Sequence, residues 1–182
     1  LDTGGAIKFA ADFFNGNENI LIHNVDILSD IDFQKAEEFH NTNNNLITLC
    51  VRDRETSRKL IFNLENQLIG WTNIKSKEFK WVNKKNTELS KNLADSGIYI
   101  SSPEFASKIN KKGKFSIIDI WLEMARKEKI SAYEDNDSNW FDLGSVDRIK
   151  RAEDFLYQQK LSEKFLVKVA REISALSHEK RI

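Results

Sequence analysis

Short apolar runs recurring between amphipathic stretches constrain this chain more than any other feature of its sequence. Residues 46–51, Leu-Ile-Thr-Leu-Cys-Val, are apolar at nearly every position, the pattern of a strand covered on both faces. Residues 19–25 read the same way, as a buried strand whose C-terminal end carries Asp26. Between the two, residues 32–40 predict a helix: Asp32 can cap it, and Phe33, Ala36 and Phe39 fall on one face. Residues 59–62 and 67–71 alternate apolar with polar and predict antiparallel strands turning near Glu65-Asn66. Residues 96–101 predict a further strand, Pro103 suits the first turn of the helix after it, and Gly113 marks a loop. Ser116 can cap a helix whose apolar face is Ile117, Ile118, Ile120, Trp121, Met124 and Ala125, closed by basic residues 126–129. Strands at 130–133 and 139–143 then precede a final helix from Ser145. Strands alternating with helices, with a few antiparallel strands added, define an α/β chain with a mixed sheet.

The 182 residues suffice for one domain with a substantial core. Lysine plus arginine and aspartate plus glutamate each total 28, so nothing steers the chain toward nucleic acid or an acidic membrane. No run approaches the length of a membrane span, and the first residues lack the pattern of a signal peptide. Cys50, alone and inside an apolar run, reads as a buried thiol in a reducing compartment, which points to the cytoplasm. The chain opens on Leu1-Asp2-Thr3-Gly4-Gly5, which reads as the inside of a motif and suggests that a preceding segment was cut away.

Asp26 and Asp142 each end a predicted apolar strand, and ligands of open α/β sheets bind at the carboxyl ends of strands. Two such carboxylates form the hard-oxygen site that Mg²⁺ prefers, completed by water and substrate phosphates. By position alone they are equally two solvated or capping acids. Asp30-Ile31-Asp32 imitates the Asp-x-Asp signature of metal-dependent glycosyltransferases, although turn and helix-cap roles account for both acids.

Four stretches together resemble the sugar-1-phosphate nucleotidyltransferases, the nucleoside-diphosphate-sugar pyrophosphorylases. The likeness is to the short bacterial type similar to mannose-1-phosphate guanylyltransferase and N-acetylmuramate-1-phosphate uridylyltransferase. Leu1-Asp2-Thr3-Gly4-Gly5-Ala6-Ile7 looks like the family's Glu-Thr-Gly-Gly-Gly-Ile, with Ala6 replacing one glycine. Asn24-Val25-Asp26 looks like its Asn-Gly-Asp strand end, with Val25 where glycine is usual. Ser96-Gly97-Ile98 matches the strand that approaches the sugar, although Asp95 stands where an apolar residue is common. Trp140-Phe141-Asp142-Leu143-Gly144-Ser145 resembles Trp-x-Asp-x-Gly-Thr and is nearly intact.

The resemblance implies a Rossmann-like, mixed and mostly parallel sheet of the glycosyltransferase-A-like type, truncated at its N-terminus. Residues 1–155 would be the C-terminal two-thirds of that domain and residues 156–182 a helical extension. It implies a nucleoside triphosphate and a sugar-1-phosphate as substrates and Mg²⁺ as cofactor. Asp26 and Asp142 would be the catalytic metal ligands, Gly4, Gly5 and Asn24 would meet the nucleotide, and Gly97 the sugar. The family's opening loop, Gly-x-Gly-Thr-Arg with a Pro-Lys after it, has no counterpart here. This chain alone is therefore expected to be inactive and poorly stable, with the missing segment cut off or supplied by a second chain. A homo-oligomer, a non-catalytic nucleotide-sugar-binding module and a glycosyltransferase remain alternatives. His23 reads as a hydrogen-bonded core histidine, and His40 and His178 as helix-end residues needing no function. Leu161, Phe165, Val169 and Ile173 form a stripe suited to packing on the body or on a partner subunit.

Overall fold

The structure of the protein is a computed structural model that describes residues 2–14, 16–83, 89–158 and Lys168. In chain order the elements begin with α1 (Asp2–Phe9), a 3₁₀ turn (Ala11–Phe13), β1 (Ile20–His23), β2 (Ile27–Ser29) and α2 (Phe33–Thr42). There follow β3 (Ile47–Arg52), β4 (Arg58–Asn63), β5 (Leu68–Asn73), β6 (Glu78–Trp81) and β7 (Ser90–Ser101). The last are α3 (Phe105–Lys108), α4 (Ile117–Met124), β8 (Ile130–Glu134), β9 (Trp140–Asp142) and α5 (Val146–Gln158). They fall into two compact units, Leu1–His23 with Gln34–Asn136, and Asn24–Phe33 with Asp137–Ile182. Residues 156–158 continue α5, whereas the stripe from Leu161 to Ile173 and His178 lie outside the described residues.

The first unit is an α/β body around a seven-stranded sheet in the order β6-β5-β4-β7-β3-β8, with β1 also paired to β7. The sheet is mixed: β3 and β8 run parallel, and the other pairings among the described strands are antiparallel. β4, β5 and β6 form a meander joined by short turns, which antiparallel pairing permits. Asn66 takes a left-handed φ of 60° in the first of those turns, as asparagine tolerates better than most residues. β3 lies between β7 and β8 and is buried at every position, which is why its sequence does not alternate.

Four residues of α4, Ile117, Ile120, Trp121 and Leu122, are buried, and Ser116 Oγ caps the helix by accepting the Ile118 N–H at 3.3 Å. The Trp121 ring meets Tyr99 of β7 edge-on at 5.1 Å, and Tyr99 meets Phe105 of α3 at 6.5 Å. Cys50 is fully buried, and burial raises its thiol pKa far above the ordinary value, so it is inert packing.

His23 departs from the sequence expectation, whereas His40 lies in the last turn of α2 as expected and is also buried. β1 is half-buried, not buried, and His23 at its end is exposed, because β1 pairs with β7 on one side and with no other described strand. His40 is instead the interior histidine: Nδ1 lies 2.9 Å from Thr48 Oγ1 and Nε2 lies 3.2 Å from Ser102 Oγ. Asn45 Nδ2 donates to Thr48 Oγ1, Ser102 Oγ donates to the Asn45 carbonyl, and Ser131 Oγ donates to Asn45 Oδ1. A neutral imidazole protonated at Nε2 satisfies every member of this network, consistent with burial lowering its pKa below 6.5.

Candidate functional site

In the second unit, β2 and β9 pair antiparallel with Ile27 opposite Asp142 and Ser29 opposite Trp140. A turn closed by the Ile27 N–H on the Asn24 carbonyl (3.1 Å) leads into β2 and sets Val25 and Asp26 at its corner. Val25 is 98% exposed there, so the side chain that replaces the expected glycine displaces nothing. The Leu143 N–H then donates to the Asp26 carbonyl at 2.7 Å and ties the start of β2 to the end of β9. The sequence expectation that both acids end strands at one sheet edge is corrected by this topology. Asp142 does end β9, but Asp26 precedes β2; antiparallel pairing is what brings a strand's start beside its partner's end.

The two carboxylates converge over Gly144. A β-carbon at that glycine would stand 3.0 Å from Asp142 Oδ1 and 3.8 Å from Asp26 Oδ2. Glycine is therefore what leaves the space between the acids open. The Gly144 N–H donates to Asp142 Oδ1 at 2.9 Å, and Arg148 Nη1 donates to Asp142 Oδ2 at 2.5 Å. Asp26 is exposed, and the Asp142 side chain keeps about a third of its surface (32%) in solvent, so both remain open to a ligand. Among the described residues no group of three or more His, Cys, Asp or Glu side chains is arranged to hold a metal ion. A cation here would rest on two protein carboxylates.

Asp30 does different work. Its Oδ1 accepts the Asn139 N–H and its Oδ2 accepts from Asn139 Nδ2, both at 2.7 Å, while the Asp30 N–H donates to the Asn139 carbonyl at 3.2 Å. Both oxygens hold the β2–β9 pair together, and Asp32 directly precedes α2 in the cap position. Phe141 packs against Phe155 with ring centroids 5.0 Å apart, fastening α5 to β9 and fixing where Arg148 emerges.

Asn24 is half-buried and supplies the turn carbonyl in front of Asp26. Gly4, Gly5 and Gly97 belong to the first unit. Gly4 and Gly5 are buried in α1, and a β-carbon on Gly4 would come within 2.6 Å of the Phe115 ring. The close approach that Gly4 permits is thus to Phe115. Gly97 has φ 71° in a bulge of β7, where pairing to β3 jumps from Ile98 to Asp95.

Asp95 closes that bulge by accepting the Gly97 N–H at 3.0 Å. Burial pushes its carboxyl up to about 6 from 3.8, against the Gly97 hydrogen bond and the Arg54 guanidinium, which both pull it down. A raised folded-state pKa means that the folded chain holds a proton between pH 4 and 6 that the unfolded chain has released. Stability therefore falls as pH rises through that window. Asp95→Asn should stabilise the chain at pH 8 by about 1–3 kcal/mol, with no gain below pH 4, in urea melts across pH. An equal effect at both ends would show that charge is not the cause.

Sequence reasoning missed Arg148. Its signal was there: an arginine in the first turn of a helix opposes the helix dipole, so a carboxylate nearby is needed to favour it.

Residues 1–159 match the model of the nucleotidyl transferase family, and the chain belongs to that family. No curated protein matches it. Among solved structures it is similar to HddC from Yersinia pseudotuberculosis complexed with GMP-PN, at 19% identity and TM-score 0.59 over 85% of this chain and 63% of that one. The HddC structure described without a ligand gives 18% identity and TM-score 0.60, with the same coverage of 85% and 63%. A candidate glucose-1-phosphate thymidylyltransferase from Bacillus anthracis, in complex with a sucrose, gives 18% and 0.61 over 82% of this chain and 58% of that one. The chain thus spans less than two thirds of these structures, and the likeness establishes the nucleotidyltransferase fold.

Proposed function

We propose that the protein forms a nucleoside-diphosphate sugar and pyrophosphate from a nucleoside triphosphate and a sugar-1-phosphate. The observation that carries this reading is the convergence of Asp26 and Asp142 over Gly144, on a chain of the nucleotidyl transferase family. A relative of the same fold is complexed with GMP-PN, which supports a nucleotide as ligand. An oxygen of the sugar phosphate attacks the α-phosphorus; the bond from that phosphorus to the bridging oxygen breaks, and pyrophosphate leaves. Catalysis of this kind is positioning and charge stabilisation. Asp26 and Asp142 are the residues that would hold Mg²⁺, whose need for only one or two carboxylates beside phosphates and water fits this pair. When bound, Mg²⁺ neutralises negative charge on the reacting phosphates. In this reading Asn24, beside Asp26, serves the nucleotide.

Pyrophosphate release, measured across nucleoside triphosphates and sugar-1-phosphates, tests the proposal. Release should need both substrates and a divalent cation. Binding of a nucleotide sugar with no turnover would mark a binding module. Sugar transfer without pyrophosphate would mark a glycosyltransferase.

A further inference from the structure

Three charged groups, not two, meet above Gly144. The point that a β-carbon would occupy there lies 3.0 Å from Asp142 Oδ1, 3.8 Å from Asp26 Oδ2 and 3.8 Å from Arg148 Nη1. The third group is a cation supplied by the chain itself, and it is ion-paired to Asp142 Oδ2. With Oδ1 accepting the Gly144 N–H, both oxygens of Asp142 already have donors.

We propose that Arg148 is a guard on the cation site: its guanidinium holds Asp142 when no metal is bound, and a divalent cation enters between Asp26 and Asp142 only by displacing it. This inference rests on the reading of the two aspartates as the cation ligands. Two physical facts support it. A guanidinium and a divalent cation repel one another at a separation of about 4 Å even in water, so the two do not share one carboxylate oxygen comfortably. The Arg148 side chain is also half-exposed (52%), so it can swing into solvent by changing rotamer while α5 stays fastened to β9 through Phe141 and Phe155. The pair is exposed enough for its own attraction to be modest, so its displacement is within reach of a divalent ion. Arg148 is on this account a positioning residue, acting on the cation through Asp142.

Manganese binding to the 182-residue chain, followed by the electron paramagnetic resonance of free Mn²⁺ without nucleotide or sugar, provides the test. Arg148→Gln should tighten the dissociation constant by roughly five- to thirtyfold, the span between losing an exposed ion pair and relieving direct charge repulsion. Arg148→Lys, which keeps the charge and loses the planar fork, should fall between the two. Adding Asp142→Asn to Arg148→Gln should abolish the gain. Binding to the wild-type chain that Arg148→Gln leaves unchanged would overturn the guard while leaving the two-aspartate site standing. So would a gain that survives Asp142→Asn. No binding to either chain would overturn the site and the guard together. Binding that appears only in Arg148→Gln would be the strongest support.

Discussion

Asp142→Ala should lower nucleotidyl transfer by at least about 10²-fold, the scale of removing one preorganised stabilising group from a reacting centre. The assay is pyrophosphate release in the presence of a nucleoside triphosphate, a sugar-1-phosphate and a divalent cation. The side chain has two separable roles here. It accepts the Gly144 N–H at 2.9 Å, which shapes the turn into α5, and it presents a negative charge toward the space above Gly144. Asp142→Asn separates them, because an amide oxygen can keep the Gly144 hydrogen bond but carries no charge. If the charge matters, Asn should be nearly as damaging as Ala. If Asp142 is only a turn acceptor, Asn should restore most of the rate and Ala should cost less than about tenfold, on the scale of one hydrogen bond. Melting temperatures of both variants close to that of the parent would confirm that the loss is chemical.

Trp121→Ala should destabilise the first unit by about 3–5 kcal/mol, read as a lower denaturant midpoint at unchanged slope. Trp121 is 1% exposed, and its ring lies edge-on to Tyr99 at an interplanar angle of 82°. The surroundings that would have to collapse into the vacated volume are the buried face of α4 and β7, both pinned by their own hydrogen bonds. Trp121→Phe is the control. The indole Nε1 has no hydrogen-bond partner among the described residues, so Phe keeps an aromatic ring on Tyr99 and removes a buried donor. Its loss should be less than half that of Ala, and an equal loss would mean that edge-on ring packing contributes little.

Legibility followed how much of each element's pairing is local. The β4–β5 hairpin was readable because alternation and the Asn66 turn are neighbours in sequence, and α4 was readable from Ser116 and its apolar face. β6, Glu-Phe-Lys-Trp, alternates polar with aromatic residues but over only four positions, and the sequence reading passed over it. It becomes a strand by pairing with β5, with Phe79 stacked on Trp81 at 6.0 Å. The first half of β7, from Ser90, is too polar to suggest a strand, and it is made one by β4. Gly4 and Gly5 would weaken an isolated helix, yet they lie inside α1, where Gly4 lets the backbone approach Phe115.

The sequence by itself determined the α/β class, the buried strand β3, and the motif order that singled out Asp26 and Asp142. These depend on residue type and short-range spacing, which a chain displays before it folds. Only the tertiary structure decided that the second unit joins residues separated by more than a hundred positions. Pairing of β2 with β9 sets Asp26 at one strand's start beside Asp142 at the other's end, and Asp30 locks that register through Asn139. The same pairing separated Asp30, whose oxygens are engaged in that lock, from Asp26 and Asp142, which face the gap over Gly144. It also exposed Arg148 as the third charge there, because a long side chain six residues downstream reaches Asp142 only once α5 turns back onto β9.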